Sequence, residues 1–273
     1  MRRRAWTVLL HAALVAGGAV TLFPLLWMLS ASFMTSGEAT TFPPHLVPHA
    51  ATLEQYRQLF LRLNLGRAFL SSATIAVTTT LFSLLINSMA GYAFARLRFG
   101  GRERLFGLLL AALIIPAQVG MLPLFLLMKA LHLVNTYWGA ILPSLASVLG
   151  IFLIRQFMLS VPQELLEAAR IEGAGEWRIY RSVVMPLARP VLATLAILTF
   201  MTTWNDFMWP LIVLSDQRRY TLPVAMASLV GEHALDIELM MAGAVVTVLP
   251  VLVVFLALQR SYIAGLMAGS VKG

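Results

Sequence analysis

With 59% hydrophobic and only 12% charged residues among its 273, against about 25% charged residues in soluble domains, the chain is predicted to lie in a lipid bilayer. The absence of cysteine excludes disulfides, cysteine metal sites and thiol catalysis. The net charge of +8 is explained better by arginines at the cytoplasmic edge of a membrane than by binding to nucleic acid.

Six apolar runs follow one another along the chain, and each is close to the roughly 20 residues that a membrane-spanning helix needs. The first run is longer than the core of about 7–15 residues in a signal peptide, so we expect a retained helix. The Ser30-Ala31-Ser32 triplet leaves cleavage open as the alternative. The sequence therefore predicts an all-α membrane protein with six transmembrane helices in one domain. The runs cover residues 5–31, 68–95, 105–128, 137–159, 190–214 and 239–262.

The connection between the first two runs, residues 33–67, is polar. The stretch that starts at Thr52 has the pattern of a capped helical turn. His45 and His49 are four residues apart, which is a metal-ligand spacing only in a helix. Prolines exclude a long helix here, so we expect two solvent-facing loop histidines rather than a metal site. These prolines are Pro43, Pro44 and Pro48.

The third run is interrupted at Pro116 and Pro123, with Gln118 and Gly120 between them. We therefore expect a helix that is kinked or locally unwound against protein neighbours. Residues 215–238 are predicted to form an exterior loop, and the sixth run leads into a tail of small residues.

An even number of spans places both chain ends on one side of the membrane, and the charges indicate which side. With the N-terminus inside, most of the 20 lysines and arginines lie in the inner segments. This is the positive-inside distribution, so both termini and the segment 160–189 are predicted to face the cytoplasm. The outer segments hold Arg57, Arg62, Arg67, Lys129, Arg218 and Arg219.

The segment 160–189 is the longest charge-bearing stretch between two apolar runs. Ser160 and Pro162 suit the start of a helix, and the helix dipole favours the acidic Glu164 and Glu167 near that start. These residues predict the first of two short helices.

A Gly-Ala-Gly turn at residues 173–175 breaks the first helix, a second is predicted over 176–183, and Pro186 stops it. Two short helices joined by such a turn form a knob, and we expect it to dock into a soluble partner. Small residues let another backbone approach closely, while Glu167 and Arg170 can pair across an interface. The alternative is an amphipathic helix that lies on the inner headgroups.

One stretch of this segment resembles the EAA loop of ATP-binding-cassette importer permeases. It reads Glu-Ala-Ala-Arg-Ile-Glu-Gly-Ala over residues 167–174 and is followed by Met185-Pro186-Leu187 and Pro190. That family usually has aspartate where Glu172 stands, which keeps the charge. Further stretches resemble the carbohydrate-type permeases, most of all the six-helix subunit paired with a larger permease in maltose and glycerol-phosphate uptake. They are residues 90–96, 204–210 and 265–273, and the resemblance covers nearly the whole chain.

The resemblance implies the type I importer permease fold, also called MetI-like, in the cytoplasmic (inner) membrane of a bacterium or archaeon. It implies one membrane-spanning subunit of an ATP-driven importer for a sugar or a sugar-like solute, such as an oligosaccharide or a polyol phosphate. The chain itself would bind no cofactor and no metal, since ATP and Mg²⁺ would belong to a cytoplasmic ATPase dimer. The other partners would be a second, larger permease and an extracytoplasmic solute-binding protein, although the sequence leaves a homodimer open.

By the same resemblance, residues 164–183 would be coupling helices seated in a cleft of the ATPase. ATP would close the ATPase dimer and move these helices, which would switch the membrane helices from an inward-facing to an outward-facing packing. The tail beyond Arg260 would reach toward the ATPase, or would be a frayed end. The ATPase-coupling residues would be Glu164, Glu167 as the docking glutamate, Ala168, Ala169, Arg170, Gly173 as the turn glycine, and Ala174.

Asp206 is the only acidic residue inside a predicted span, and an ionisable group there favours a functional role. Counted from Pro190 at about 1.5 Å per residue, it lies roughly 24 Å along the helix, toward the outer surface. It would line the solute path, contact the partner permease or be satisfied within the subunit. Asn87, Gln118 and Asn205 are further candidates, although polar groups also join neighbouring helices.

The sequence contains no motif that is typical of an enzyme. It contains no Gly-rich phosphate loop, no H-E-x-x-H and no pair of intramembrane aspartates, so we expect no enzymatic activity of this chain. A passive channel or a secondary transporter is the alternative function. That alternative needs intramembrane ion-handling residues or inverted repeats, whereas the sequence shows one intramembrane acid and no evident repeat.

Overall fold

A computed structural model describes residues 2–61, 64–232 and 236–270. All regular structure in these residues is helical. A π turn, Tyr180–Val184, joins α9 to α10, and turns of 3₁₀ helix extend α4 and α6. The helices are α1 (Arg2–Ala31), α2 (Glu54–Leu61), α3 (Leu65–Arg96), α4 (Arg102–Ala111), α5 (Ala117–Ala130), α6 (Tyr137–Ile141), α7 (Val148–Ser160), α8 (Gln163–Ile171), α9 (Glu176–Ile179), α10 (Met185–Leu187), α11 (Arg189–Trp204), α12 (Met208–Val213), α13 (Leu222–Glu232) and α14 (Ile237–Ser270).

Up to six stretches of the described chain can cross a membrane. Three single helices are long and apolar enough, namely Trp6–Ala31, Leu65–Arg96 and Ile237–Gln259. Three bent pairs meet the same test when each pair counts as one span: Arg102–Ile114 with Ala117–Ala130, Tyr137–Ser144 with Val148–Ser160, and Glu176–Leu187 with Arg189–Trp204. The prediction of an all-α membrane protein is confirmed.

The predicted kink in the third run is confirmed at Pro116. The chain leaves the helical conformation at Ile115, whose ψ is 118°, because a residue before proline avoids the helical region. α5 then starts at Ala117 and includes Pro123. The two halves of the run are bent by 106°.

The fifth run is not the single helix that the sequence predicts over residues 190–214. α11 ends at Trp204, and α12 starts only after a short break. Pro210 explains the break, because it has no N–H to donate to the Asp206 carbonyl, as a continuous helix would require. Asp206 therefore lies between two helices, and its Oδ1 accepts a hydrogen bond from the Trp209 amide at 3.4 Å.

The second helix of segment 160–189 also differs from the prediction, because Pro186 does not stop it. Pro186 lies in the first turn of α10, where a helix does not need the missing N–H. The chain stays helical from Glu176 through the π turn to Leu187, and the direction then changes by 79° before α11. The bend therefore falls at Ala188.

The last two helices, α13 and α14, also differ from the prediction. α14 runs to Ser270, so the first part of the predicted small-residue tail continues the helix of the sixth run. The predicted exterior loop over residues 215–238 contains a helix, α13, which hydropathy does not indicate because its 11 residues are too few to cross a bilayer. Arg62 and residues 271–273 lie outside the described residues.

The chain divides into two compact units. Unit 1 contains Met1–Arg67 and Ala225–Pro250, and unit 2 contains Ala68–Val224 and Val251–Gly273. The single domain over residues 1–273 stays a prediction.

In unit 1, two buried carboxylates hold the loop that follows α1. Glu38 accepts a hydrogen bond from the His49 amide at 2.7 Å, and this bond lowers the pKa of Glu38. Glu238, at the start of α14, accepts one from the Ala39 amide at 2.7 Å. The loop is therefore fixed by side chains rather than by helical structure.

The predicted local features of this loop are present. His45 and His49 lie outside any helix, and their Nε2 atoms are 3.3 Å apart. The capped turn is confirmed by the hydrogen bond from the Glu54 amide to Thr52 Oγ1 at 3.1 Å. Across the described residues, no group of three or more His, Asp or Glu side chains is arranged to hold a metal ion.

Two of the apolar cores formed by the described residues lie in unit 2. One brings together α5, α6 and α12 with one turn of α3, through Ile75, Met128, Ala140, Ile141, Trp209, Val213 and Leu214. The other lies beneath segment 160–189 and contains Tyr92, Ala95, Ile154, Met158, Leu166, Ile179, Tyr180, Val184, Ala188, Val191 and Leu195. The second core is the platform on which α8 and α9 rest.

Candidate functional site

α8 and α9 form the predicted pair of short helices, and Gly173 closes the turn between them. Its φ of +82° is a left-handed conformation that favours glycine. The Gly173 amide bonds the Arg170 carbonyl at 3.0 Å, and the Ala174 amide bonds the Ala169 carbonyl at 2.9 Å. Both bonds satisfy carbonyl groups at the end of α8, so Gly173 has the geometry expected of the turn glycine.

α8 packs on the core through one face. Leu166 is fully buried, and Ala169 packs partly against the same core. The other predicted coupling residues are accessible: Arg170 and Ala174 are half-buried, and Glu164, Glu167, Ala168 and Gly173 are exposed.

Large apolar side chains lie on the outer face of the same segment. Ile171 is 87% exposed and Trp177 is 59% exposed, although both belong to an ordered pair of helices. Large apolar side chains exposed on an ordered element are typical of a site that another protein covers. The segment therefore has one face fixed to its own core and one face available to a partner.

Glu176 joins the two short helices to α3. Its Oε1 accepts a hydrogen bond from Arg170 Nε at 2.9 Å, and its Oε2 accepts one from the Tyr92 hydroxyl at 2.7 Å. Tyr92 lies in α3 and is only 4% exposed. Arg170, which the sequence predicts to pair across an interface, is thus already paired within the chain.

Arg96, at the end of α3, secures the start of α8. It donates to the Met158 carbonyl at 3.0 Å and to Gln163 Oε1 at 2.8 Å, and it also reaches the Val161 carbonyl. Gln163 in turn donates to Glu167 Oε1 at 3.3 Å. The predicted docking glutamate therefore stands at the exposed end of a series of polar contacts that begins in α3.

The coupling residues predicted from the sequence do not include Tyr92, Arg96 or Glu176. Residues 90–96 do carry a signal, since they belong to the stretches that resemble carbohydrate-type permeases. The sequence does not show their contacts, because Tyr92 and Glu176 are separated by 84 residues.

Asn87, a candidate for the solute path, is fully buried and joins two helices instead. Its Nδ2 donates to Ser83 Oγ at 2.6 Å, and its Oδ1 accepts from the Ser147 amide at 2.9 Å. It therefore holds the N-cap residue of α7 against α3, at the point where the chain resumes after the 42° bend.

The other path candidates lie nearer the surface. Gln118 is exposed in the first turn of α5, and Asn205 is exposed with its Nδ2 bonded to the Met201 carbonyl at 2.8 Å. Asp206 lines a groove of about 420 Å³ between the α6–α7 region and α11. The polar side chains of this groove, none of them basic, are Ser144, Ser147, Thr199, Thr202, Thr203 and Asp206.

Comparison with known proteins agrees with the motifs. Residues 87–265 match the model of the family described as "Binding-protein-dependent transport system inner membrane component". The arabinooligosaccharides transport system permease protein AraQ of Halalkalibacterium halodurans is 40% identical over 98% of this chain and 97% of its own length. The diacetylchitobiose uptake system permease protein NgcG of Streptomyces coelicolor is 34% identical over 98% of this chain and 88% of its own length.

A solved structure supports the fold. It is described as a bacterial ABC transporter involved in the import of the acidic polysaccharide alginate, and one of its chains is 23% identical with a TM-score of 0.84. The match covers 95% of this chain and 97% of that one. The resemblance to importer permeases and the multi-pass membrane location are thus confirmed, and the chain belongs to the family of binding-protein-dependent transport system inner membrane components.

Proposed function

We propose that this permease belongs to an ATP-driven importer in which a separate cytoplasmic ATPase binds α8 and α9. The observation that carries the proposal is the exposed apolar pair Ile171 and Trp177 on helices that are held to α3 by Glu176 and Arg96. The exposed apolar side chains can bind a partner, and the hydrogen bonds to α3 can transmit a displacement of α8 and α9 to the membrane helices.

The solute class follows from the relatives. AraQ and NgcG are named for arabinooligosaccharides and for diacetylchitobiose, and each aligns with nearly the whole of this chain. We extend the carbohydrate class, without a particular sugar, to this permease. The hydroxyl-rich groove beside Asp206 supports this extension, because hydroxyl groups hydrogen-bond to one another as donors and as acceptors.

The importer requires further components in this proposal. An ATPase dimer binds ATP and Mg²⁺, a second and larger permease completes a heterodimer, and an extracytoplasmic solute-binding protein delivers the solute. The positive-inside distribution supports cytoplasmic positions for both termini and for α8 and α9.

A single introduced cysteine tests the orientation and the ATPase contact together, because the chain has no cysteine of its own. In Ile171→Cys, a membrane-impermeant maleimide is expected to react only in inside-out vesicles from which peripheral subunits have been removed, because the ATPase would otherwise cover the cysteine. A short bifunctional reagent is expected to cross-link the same cysteine to a nucleotide-hydrolysing subunit in native membranes.

Ser215→Cys is the matched control, since Ser215 is exposed beyond α12 at the other end of the fifth run. It is expected to react in right-side-out vesicles and to give no ATPase cross-link. Reaction of the Ile171→Cys variant from the outer side would refute the orientation. Cross-linking to no ATPase, together with uptake that needs no ATP, would support the passive channel or secondary transporter instead.

Asp206 is proposed to act in the solute path through the groove. We expect Asp206→Lys to lower ATP-driven uptake by about tenfold or more, because lysine reverses the charge of the groove and has no oxygen to accept the Trp209 amide. Asp206→Asn keeps an oxygen that accepts the Trp209 amide, so it separates the loss of charge from the loss of that hydrogen bond. The measurement is uptake of radiolabelled oligosaccharides, beginning with arabinotriose and diacetylchitobiose.

Asp216→Lys provides the comparison for this prediction. Asp216 also accepts a backbone hydrogen bond two residues on, from the Arg218 amide at 2.9 Å, but it does not line the groove. Its substitution is expected to leave uptake within about twofold of the unmodified protein, a change below 0.5 kcal/mol. Equal losses in the two lysine variants would argue against a role for the groove.

A further inference from the structure

We propose that Tyr92 is a positioning residue that carries the motion of α8 and α9 to α3 through side chains, independently of the backbone that leads into α11. This inference rests on the proposed coupling to an ATPase. It names a second membrane helix that receives the motion and the residue that transmits it.

The first observation is the bridge made by Glu176. Its side chain is 45% exposed at the rim of the knob and bonds Arg170 at 2.9 Å on one oxygen. The other oxygen accepts the hydroxyl of Tyr92, which is 4% exposed, at 2.7 Å. A hydrogen bond to an ionised carboxylate is short and about twice as strong as a neutral one. It therefore links the accessible surface directly to the interior of α3.

A second set of contacts holds the ring of Tyr92 in place beside the knob. The exposed ring of Trp177 stacks on Tyr180 with 5.3 Å between centroids and 30° between planes. Tyr180 is 5% exposed and packs against Tyr92 at 5.5 Å. Its hydroxyl lies 2.8 Å from Oγ of Ser88, which is fully buried in α3. The side chain that a partner would touch is thus two ring contacts away from α3.

The backbone connection from α9 to α11, in contrast, is irregular. Between α9 and α11 the chain passes through the π turn Tyr180–Val184 and then bends by 79°. A π turn and a sharp bend interrupt the regular hydrogen bonds that make a helix stiff. The bond between Glu176 and Tyr92 bypasses both features, because Glu176 precedes the π turn, and it ends in α3, a helix of 32 residues. Displacement of the knob is therefore expected to reach α3 through these side chains.

The test is made in the complete importer, with the partner permease, the ATPase and the solute-binding protein present. A single cysteine replaces Leu70, an exposed residue toward the opposite end of α3 from Tyr92. Its rate of reaction with maleimide is measured before and after the ATPase is trapped with ATP and vanadate, which requires no knowledge of the solute. In the otherwise unmodified chain, trapping is expected to change this rate at least about fivefold, a coupling of about 1 kcal/mol.

Tyr92→Phe removes only the hydroxyl that bonds Glu176, and it is expected to reduce that change to less than twofold while the ATPase remains bound and trapped. Tyr137→Phe is the control, because Tyr137 makes a comparable hydroxyl contact to Ser71 of α3, at 2.8 Å, away from the knob. It is expected to keep the full response. The Glu176→Gln variant also weakens the bond to Arg170, so it is expected to lose at least as much of the response as Tyr92→Phe. The double variant is expected to lose no more than Glu176→Gln alone, since both substitutions act on the bond between Tyr92 and Glu176.

Each other outcome counts against the inference. A normal response in Tyr92→Phe, or no response to trapping in the unmodified chain, overturns it. A response that falls only in proportion to a lower melting temperature or to lost ATPase binding shows a merely structural role. Failure of the Ile171→Cys variant to cross-link to an ATPase would instead refute the proposed function, so the two failures are distinguishable.

Discussion

Glu167→Lys is expected to abolish ATP-driven uptake while the chain still folds and inserts into the membrane. Glu167 is exposed, and its side chain accepts one hydrogen bond, from Gln163 at 3.3 Å. Exposed substitutions of this kind usually change stability by less than about 0.5 kcal/mol. Reversal of a charge that becomes buried against a partner is much more costly, at about 2–5 kcal/mol. The affinity for the ATPase is therefore expected to fall by about 30-fold or more.

Two measurements check this result: binding of the isolated ATPase to the detergent-solubilised permease, and uptake in vesicles. Glu54→Lys is a suitable control, since Glu54 is also a glutamate in the first turn of a short helix, α2, and its side chain is 45% exposed. It lies in a segment predicted to face outward, so both readouts are expected to stay normal. Uptake by the Glu167→Lys variant at the rate of the control would contradict coupling through α8.

Gly91→Ala is expected to destabilise the protein strongly, although it adds only one methyl group. A Cβ atom at Gly91 would lie 2.5 Å from Cγ2 and 2.7 Å from Cβ of Ile154, and 3.1 Å from the Arg155 backbone nitrogen. Ile154 is fully buried in the core beneath α8, so it has no space to withdraw into. Overpacking of this kind costs about 1–3 kcal/mol, and the added methyl group would force α3 and α7 apart.

Thermal unfolding of the purified protein in detergent measures this effect, and Gly107→Ala serves as the reference. Gly107 is also helical, but a Cβ atom there has no neighbour within 4 Å. Its substitution is expected to be neutral or to stabilise α4 by about 0.5–1 kcal/mol, because alanine loses less backbone entropy than glycine. Equal melting temperatures for the two variants would show that α3 and α7 are not in close contact at Gly91.

The spans and the knob are predictable from sequence for local reasons. A run of about 20 apolar residues can satisfy its backbone groups in lipid only as a helix. Pro116 and Gly173 act on their own backbone: the first forces Ile115 out of the helical region, and the second adopts a left-handed turn at φ +82°. None of these effects depends on residues distant in the chain.

The break after Trp204 is a local effect that the apolar pattern conceals. Pro210 removes one helical hydrogen bond four residues before itself, yet residues 190–214 remain continuously apolar apart from their centre. Hydropathy therefore predicts one helix where the structure has two. Asp206 looks like an intramembrane helical acid in the sequence, whereas in the structure it lies between helix ends beside a groove.

Local signals in the amino-acid order were enough to establish a helical membrane protein with a knob of two short helices after its fourth apolar run. Hydropathy, proline and glycine act over a few residues, so they can be interpreted without knowledge of the packing. How the knob is attached depends on the folded arrangement. The bond between Tyr92 and Glu176 joins residues 84 positions apart, and it exists only because packing of α3, α7 and α8 on a shared core offsets the chain entropy lost in bringing them together.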